Sequence, residues 1–108
     1  IAGISDEFIP PICKLDELDE VVSVDDIDSI IMAQKLSREL GIGVGISSGA
    51  NFIGSVISLL ESDTAKTCVT VFADDNKKYL STDYAKTFEA KDEYISTHIE
   101  LVGVRTVR

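Results

Sequence analysis

Apolar and polar positions recur with two different periods along this chain, and the points where the period changes divide it into short strands and two helices. Between Asp25 and Gly41, the apolar residues Ile27, Ile30, Ile31, Ala33, Leu36 and Leu40 fall at helical spacing. Asp25 is a preferred helix-capping residue, Asp26 and Asp28 sit in the first turn where the helix dipole favours negative charge, and Gly41 is placed to end the helix. A second helix is predicted from about Gly49 to Leu60. Phe52, Ile53, Val56, Ile57, Leu59 and Leu60 make it largely apolar, so burial on more than one side is expected.

The strand signals lie between and around these helices. Ile1–Ile4 reads as a short strand, and Pro10-Pro11 forces the following segment to be extended or turned. Glu20–Val24 and Gly43–Ile46 read as two more strands. The run Cys68-Val69-Thr70-Val71-Phe72 is continuously apolar, as in a strand covered on both faces, and Asp74-Asp75-Asn76 ends it. From Ile95 to Val107, β-branched residues are frequent enough for one or two late strands, which either cover an edge or pair with another copy. Strands alternating with helices predict an α/β fold, a mostly parallel sheet flanked by helices in three layers. In such a sheet, ligands gather beyond the carboxyl ends of the strands, which groups Ser47, the turn after Gly3 and Ala73-Asp74.

The junction Gly45-Ile46-Ser47-Ser48-Gly49-Ala50-Asn51 is where chemistry enters, because an apolar strand ends and an apolar helix begins there. Free backbone N–H groups at a helix start face whatever binds there, the glycines permit close approach, and the two hydroxyls can donate to a ring nitrogen or an anionic oxygen. Small-residue turns of this kind also occur in α/β proteins that bind nothing, so the neighbouring motifs decide. Gly41-x-Gly43-x-Gly45 does not form a nucleotide loop, since its third glycine falls too early for G-x-G-x-x-G.

Those motifs run in a recognisable order: Phe8-Ile9-Pro10 after a glycine-containing strand, an acidic loop, an amphipathic helix, the Gly-Ile-Ser-Ser-Gly-Ala turn, and Tyr79-Leu80-Ser81-Thr82 after an apolar run. From Ile1 to about Asp83 the series resembles the C-terminal part of cysteine synthase, or O-acetylserine sulfhydrylase, of the pyridoxal-phosphate β-family (fold type II). The resemblance implies that residues 1–83 are an incomplete portion of that family's large domain, and that 84–108 form a C-terminal extension. It implies pyridoxal phosphate in the parent enzyme, with Ser47 facing the pyridine nitrogen and Gly3 lining the same cofactor. A serine hydroxyl is too weak an acid to keep that nitrogen protonated, so the ring withdraws electrons weakly and suits prompt loss of a β-leaving group. In the family, acetate leaves O-acetylserine, an aminoacrylate remains, and sulfide adds to give cysteine. A homodimer and a serine acetyltransferase partner are further implications of the resemblance. Departures from the family pattern occur at Ser5 and Glu7, where glycine is usual, and at Ala73-Asp74-Asp75-Asn76-Lys77-Lys78, which replaces a Pro-Asp-Ser-Gly-Glu-Arg-like stretch.

The chemistry also needs a lysine that holds the cofactor, and none of the seven lysines stands in the family's Ser-x-Lys-Asp-Arg type setting. A second glycine-rich loop for the phosphate is absent as well. Ile1 is not an initiator methionine. The expectation is an expressed piece of an enzyme, with no turnover and with weak or absent cofactor binding of its own. The alternatives are a noncatalytic binding or assembly module, a cystathionine β-synthase, or a serine/threonine dehydratase. The 108 residues carry a net charge of −9, which disfavours nucleic acid and anionic membranes. The acidic run near the start lacks the central glycine of a calcium loop, and His98 stands alone, so no metal site is expected. Cys13 and Cys68 do not form a disulfide framework and are expected to be reduced, in the cytoplasm.

Overall fold

Helix α1 (Asp26–Leu40) starts because Asp25 stays extended and turns its carboxylate onto the unpaired amides of the first turn. Ile27 N–H donates to Asp25 Oδ1 at 2.8 Å and Asp28 N–H at 3.1 Å. The helix stops at Gly41, which takes the left-handed conformation (φ 70°) while Ile42 N–H reaches back to the Leu36 carbonyl at 3.2 Å. This is a computed structural model, and residues 8–107 are described in it. The expected strand at Ile1–Ile4, with Gly3, Ser5 and Glu7, lies outside the described residues.

Helix α2 (Ile46–Glu61) begins three residues before the point its sequence pattern indicates. Gly45 is extended (φ −76°, ψ 173°) and is the last non-helical residue, so Ile46 joins the helix instead of ending a strand. Of the predicted strand Gly43–Ile46, a single antiparallel bridge remains, between Val44 and Asp75.

The two helices pack closely at Gly49. A methyl group there would lie 2.1 Å from the Ser29 carbonyl oxygen and 3.1 Å from the Ala33 Cβ, so only glycine lets the backbones meet. Met32, Ala33, Leu36, Val44, Ile53 and Tyr84 form the buried cluster around this crossing. Within α2 only Ser48, Gly49 and Ile53 are buried, so α1 covers one side of the helix, not several as its apolar sequence suggests.

No sheet forms among the described residues. Glu20–Val24 and Cys68–Phe72 run without ladder partners, and Val21, Val69 and Val71 are 76%, 91% and 66% exposed. Their β-branched residues favour an extended backbone, but a strand exists only by pairing, and the described residues bring no neighbour alongside. At Ile95, where a late strand is expected to start, the chain is helical instead. Ile95–His98 is a short helix, α3, because the buried Asp28 carboxylate accepts from Ile95 N–H at 2.8 Å and Ser96 N–H at 3.0 Å. Two more α1 side chains bind this tail: Gln34 donates to the carbonyls of Tyr84 and Lys86, and Lys35 to those of Ser96 and Ile99. Among the described residues no helix is long and apolar enough to cross a membrane.

Candidate functional site

The serine turn occupies the first turn of α2, with Gly45 as a cap that offers no side chain. Ser47 is the second helical residue and is half-buried, whereas Ser48 is fully buried. The sequence treats the two hydroxyls alike, and the helical turn separates them. The Ser48 Oγ has no hydrogen-bond partner among the described residues.

The segment 74–76 lies against this turn. Gly45 N–H donates to the Asp74 carbonyl at 3.0 Å, and Asn76 N–H donates to the Gly43 carbonyl at 3.2 Å. Ala73-Asp74 and the Ser47 turn are therefore neighbours, joined by an antiparallel bridge and not by a parallel sheet edge. The Asp74 side chain folds over Gly45 so tightly that a Cβ on that glycine would be 2.1 Å from Asp74 Oδ1 and 2.8 Å from the Tyr79 ring. The other carboxylate oxygen accepts from Tyr79 O–H at 2.6 Å and from the Lys78 ammonium at 3.0 Å. The Tyr79 hydroxyl, and after it Lys78, hold the Asp74 carboxyl below the ordinary carboxylate range. Sequence reading placed Asp74 at the site but missed its link to Tyr79, for which the only signal was the Tyr79-Leu80-Ser81-Thr82 motif.

Lys78 is the amine held at the Asp74 side of the turn. Its ammonium lies 5.1 Å from the centre of the Tyr79 ring, and Asp74, with Tyr79, raises its pKa above the ordinary lysine value. An amine that condenses with a carbonyl needs the opposite shift, so Lys78 is a poor covalent anchor. Lys35 is engaged on the carbonyls of the tail. No group of three or more metal-ligating side chains comes together among the described residues.

The turn suits one part of an aromatic cofactor better than another. Ser47 offers a hydroxyl and the first turn of α2 offers backbone N–H groups, both compatible with a ring nitrogen or ring substituent. An ionised Asp74 beside the turn disfavours a phosphate there, despite the helix dipole. Gly3 cannot be placed, since it lies outside the described residues.

No family model matches the chain. Among curated proteins it is 37% identical over 83 residues to the probable cysteine synthase of Bacillus subtilis (strain 168), covering 77% of this chain and 27% of that protein. It is 42% identical over 84 residues to cysteine synthase B of Campylobacter jejuni, again 77% of this chain and 27% of the relative. Over those residues the chain is cysteine synthase-like. The cystathionine beta-synthase of Dictyostelium discoideum is 32% identical over 81 residues, 75% of this chain and 16% of that enzyme. Among solved structures, a hydrogen sulfide-producing enzyme from Fusobacterium nucleatum is 58% identical, with a TM-score of 0.82 over 90% of this chain and 29% of that one. A mutant of such an enzyme, in complex with an α-aminoacrylate intermediate, gives a TM-score of 0.81 at 57% identity, over 88% of this chain and 28% of that one. This cysteine synthase-like chain thus spans under a third of the length of the relatives it matches.

Proposed function

We propose that these residues are the C-terminal part of a pyridoxal-phosphate enzyme of the cysteine synthase type. It would replace the acetate of O-acetylserine by sulfide to give L-cysteine. The observation that supports this most is the position of Ser47, half-buried in the first turn of α2, in a chain that matches cysteine synthases across that region. The cofactor supplies the electron sink that lets the β-substituent depart. Ser47 contributes a neutral hydroxyl to the ring nitrogen, and Gly3 lines the same cofactor. The covalent anchor and the phosphate loop are supplied by residues beyond these 108.

On this reading residues 1–83 are a portion of the large domain and 84–108 an extension. The segments Glu20–Val24 and Cys68–Phe72 take their places in a mostly parallel sheet when the rest of that domain is present. The intact enzyme is a homodimer, with a serine acetyltransferase tail as a partner at its cleft. The free, exposed thiols of Cys13 and Cys68 suit a reducing compartment such as the cytoplasm.

A second reading is release of sulfide, with rupture of a C–S bond at the β-carbon of a thiol amino acid. It is favoured by 58% identity to a hydrogen sulfide-producing enzyme, against 37% and 42% to the two cysteine synthases. Incubating the intact protein with pyridoxal phosphate and either O-acetylserine plus sulfide or cysteine alone separates the two by product. An intact protein that takes up no cofactor removes both readings and leaves a noncatalytic module. The role of Ser47 has its own test. Ser47→Asp in the intact enzyme protonates the ring nitrogen and is expected to lower β-replacement more than cofactor binding. Unchanged turnover refutes that role.

A further inference from the structure

We infer that Tyr79, acting through Asp74, is a positioning residue for the turn that carries Ser47, an inference that rests on the proposed function for its catalytic meaning. Gly45 has no side chain with which to cap α2, so the direction in which the helix leaves the turn is not fixed locally. It is fixed from the 74–79 segment instead. The backbone of Asp74 takes the Gly45 N–H, and the carboxylate of the same residue is wedged over the Gly45 Cα, where there is no room even for a methyl group. What holds the carboxylate there is the 2.6 Å bond from the Tyr79 hydroxyl. The Tyr79 ring crowds the same side of Gly45 as the carboxylate and lies 6.3 Å from the ring of Tyr84, itself buried in the cluster beneath α1. Lys78 is a weaker tether, since its side chain is 66% exposed and an exposed ion pair contributes little.

One carboxylate oxygen, Oδ1, is buried with no donor among the described residues. A carboxylate is not normally left in that condition by chance of packing, because burying an unpaired polar atom is unfavourable. Its location is thus imposed by Tyr79 and by Gly45, and the chain gains a fixed helix entrance in exchange. A turn held in this way presents Ser47 in one orientation before any ligand arrives.

The test uses the intact protein, with Tyr79→Phe and Asp74→Asn. Tyr79→Phe keeps the ring and deletes only the hydroxyl. Asp74→Asn keeps an oxygen to accept from Tyr79 and deletes the charge. Without cofactor, Tyr79→Phe is expected to speed amide exchange about tenfold at Ile46–Gly49 while the later turns of α2 are unchanged, a local loosening of about 1.4 kcal/mol. Asp74→Asn is expected to stay within about twofold of the parent at the same amides. With pyridoxal phosphate, Tyr79→Phe is expected to weaken cofactor binding about tenfold. Unchanged exchange at Ile46–Gly49 in Tyr79→Phe overturns the inference, as does a uniform acceleration along α2 in both variants. A parent protein that binds no pyridoxal phosphate while Tyr79→Phe still loosens the turn sinks the proposed function and leaves the positioning role standing.

Discussion

Gly45, like Gly49, has no room for a side chain. A methyl group 2.1 Å from Asp74 Oδ1 requires the carboxylate or the backbone to move, and both are held by hydrogen bonds. Gly45→Ala is expected to cost about 2 kcal/mol, read as a lower urea midpoint. Asp74 gives a second expectation, in pH. Its folded pKa lies below the unfolded value, so its stabilising contribution is complete above the ordinary carboxylate pKa of about 4 and fades as the pH drops through the lower folded value. Replacing it with asparagine should flatten that part of the acid limb of a stability–pH curve, and an identical limb in the variant refutes the link. The family resemblance singles out Ser47, but the difference in burial between Ser47 and Ser48 was not legible in the residues themselves. Which of two adjacent hydroxyls is interior depends on where the helix starts, and that is set by contacts between Gly45 and a segment far along the chain.

At the scale of elements, α1 was readable because its signals are local. Asp25 caps it, Gly41 ends it, and the apolar spacing marks its buried face. The strands were not readable in the same sense. Extended propensity at Glu20–Val24 and Cys68–Phe72 is a property of those residues, while a ladder belongs to two segments at once. Ile95–His98 failed for a related reason, since β-branched residues point to a strand and a carboxylate on α1 caps a helical turn instead. Asp28→Ala removes the acceptor from two amide groups that are buried or partly so, and about 2 kcal/mol of stability is expected to go with it. Proteolysis should then reach the tail at much lower protease concentration, whereas an unchanged cleavage pattern would show that apolar contacts alone hold it.

The whole molecule carries its apolar surface unevenly. Its radius of gyration, 14.5 Å, exceeds the about 13 Å of a compact domain of this length, and Ile12, Val69 and Val102 are 89%, 91% and 95% exposed. A net charge of −9 keeps copies apart at low salt, and screening weakens that repulsion. The isolated 108 residues are expected to self-associate, more so at high ionic strength, as followed by light scattering. A monodisperse monomer at every salt concentration counts against an apolar face that needs covering.

The three side chains of α1 that grip the tail set a practical limit on where this polypeptide can be cut. Gln34, Lys35 and Asp28 all bind backbone atoms between Tyr84 and Ile99, so a recombinant boundary drawn at the end of the motif region would strip α1 of those bonds along with Tyr94, while one drawn after Leu101 would keep them. Purification tags and fluorescent fusions therefore belong on the far side of Leu101.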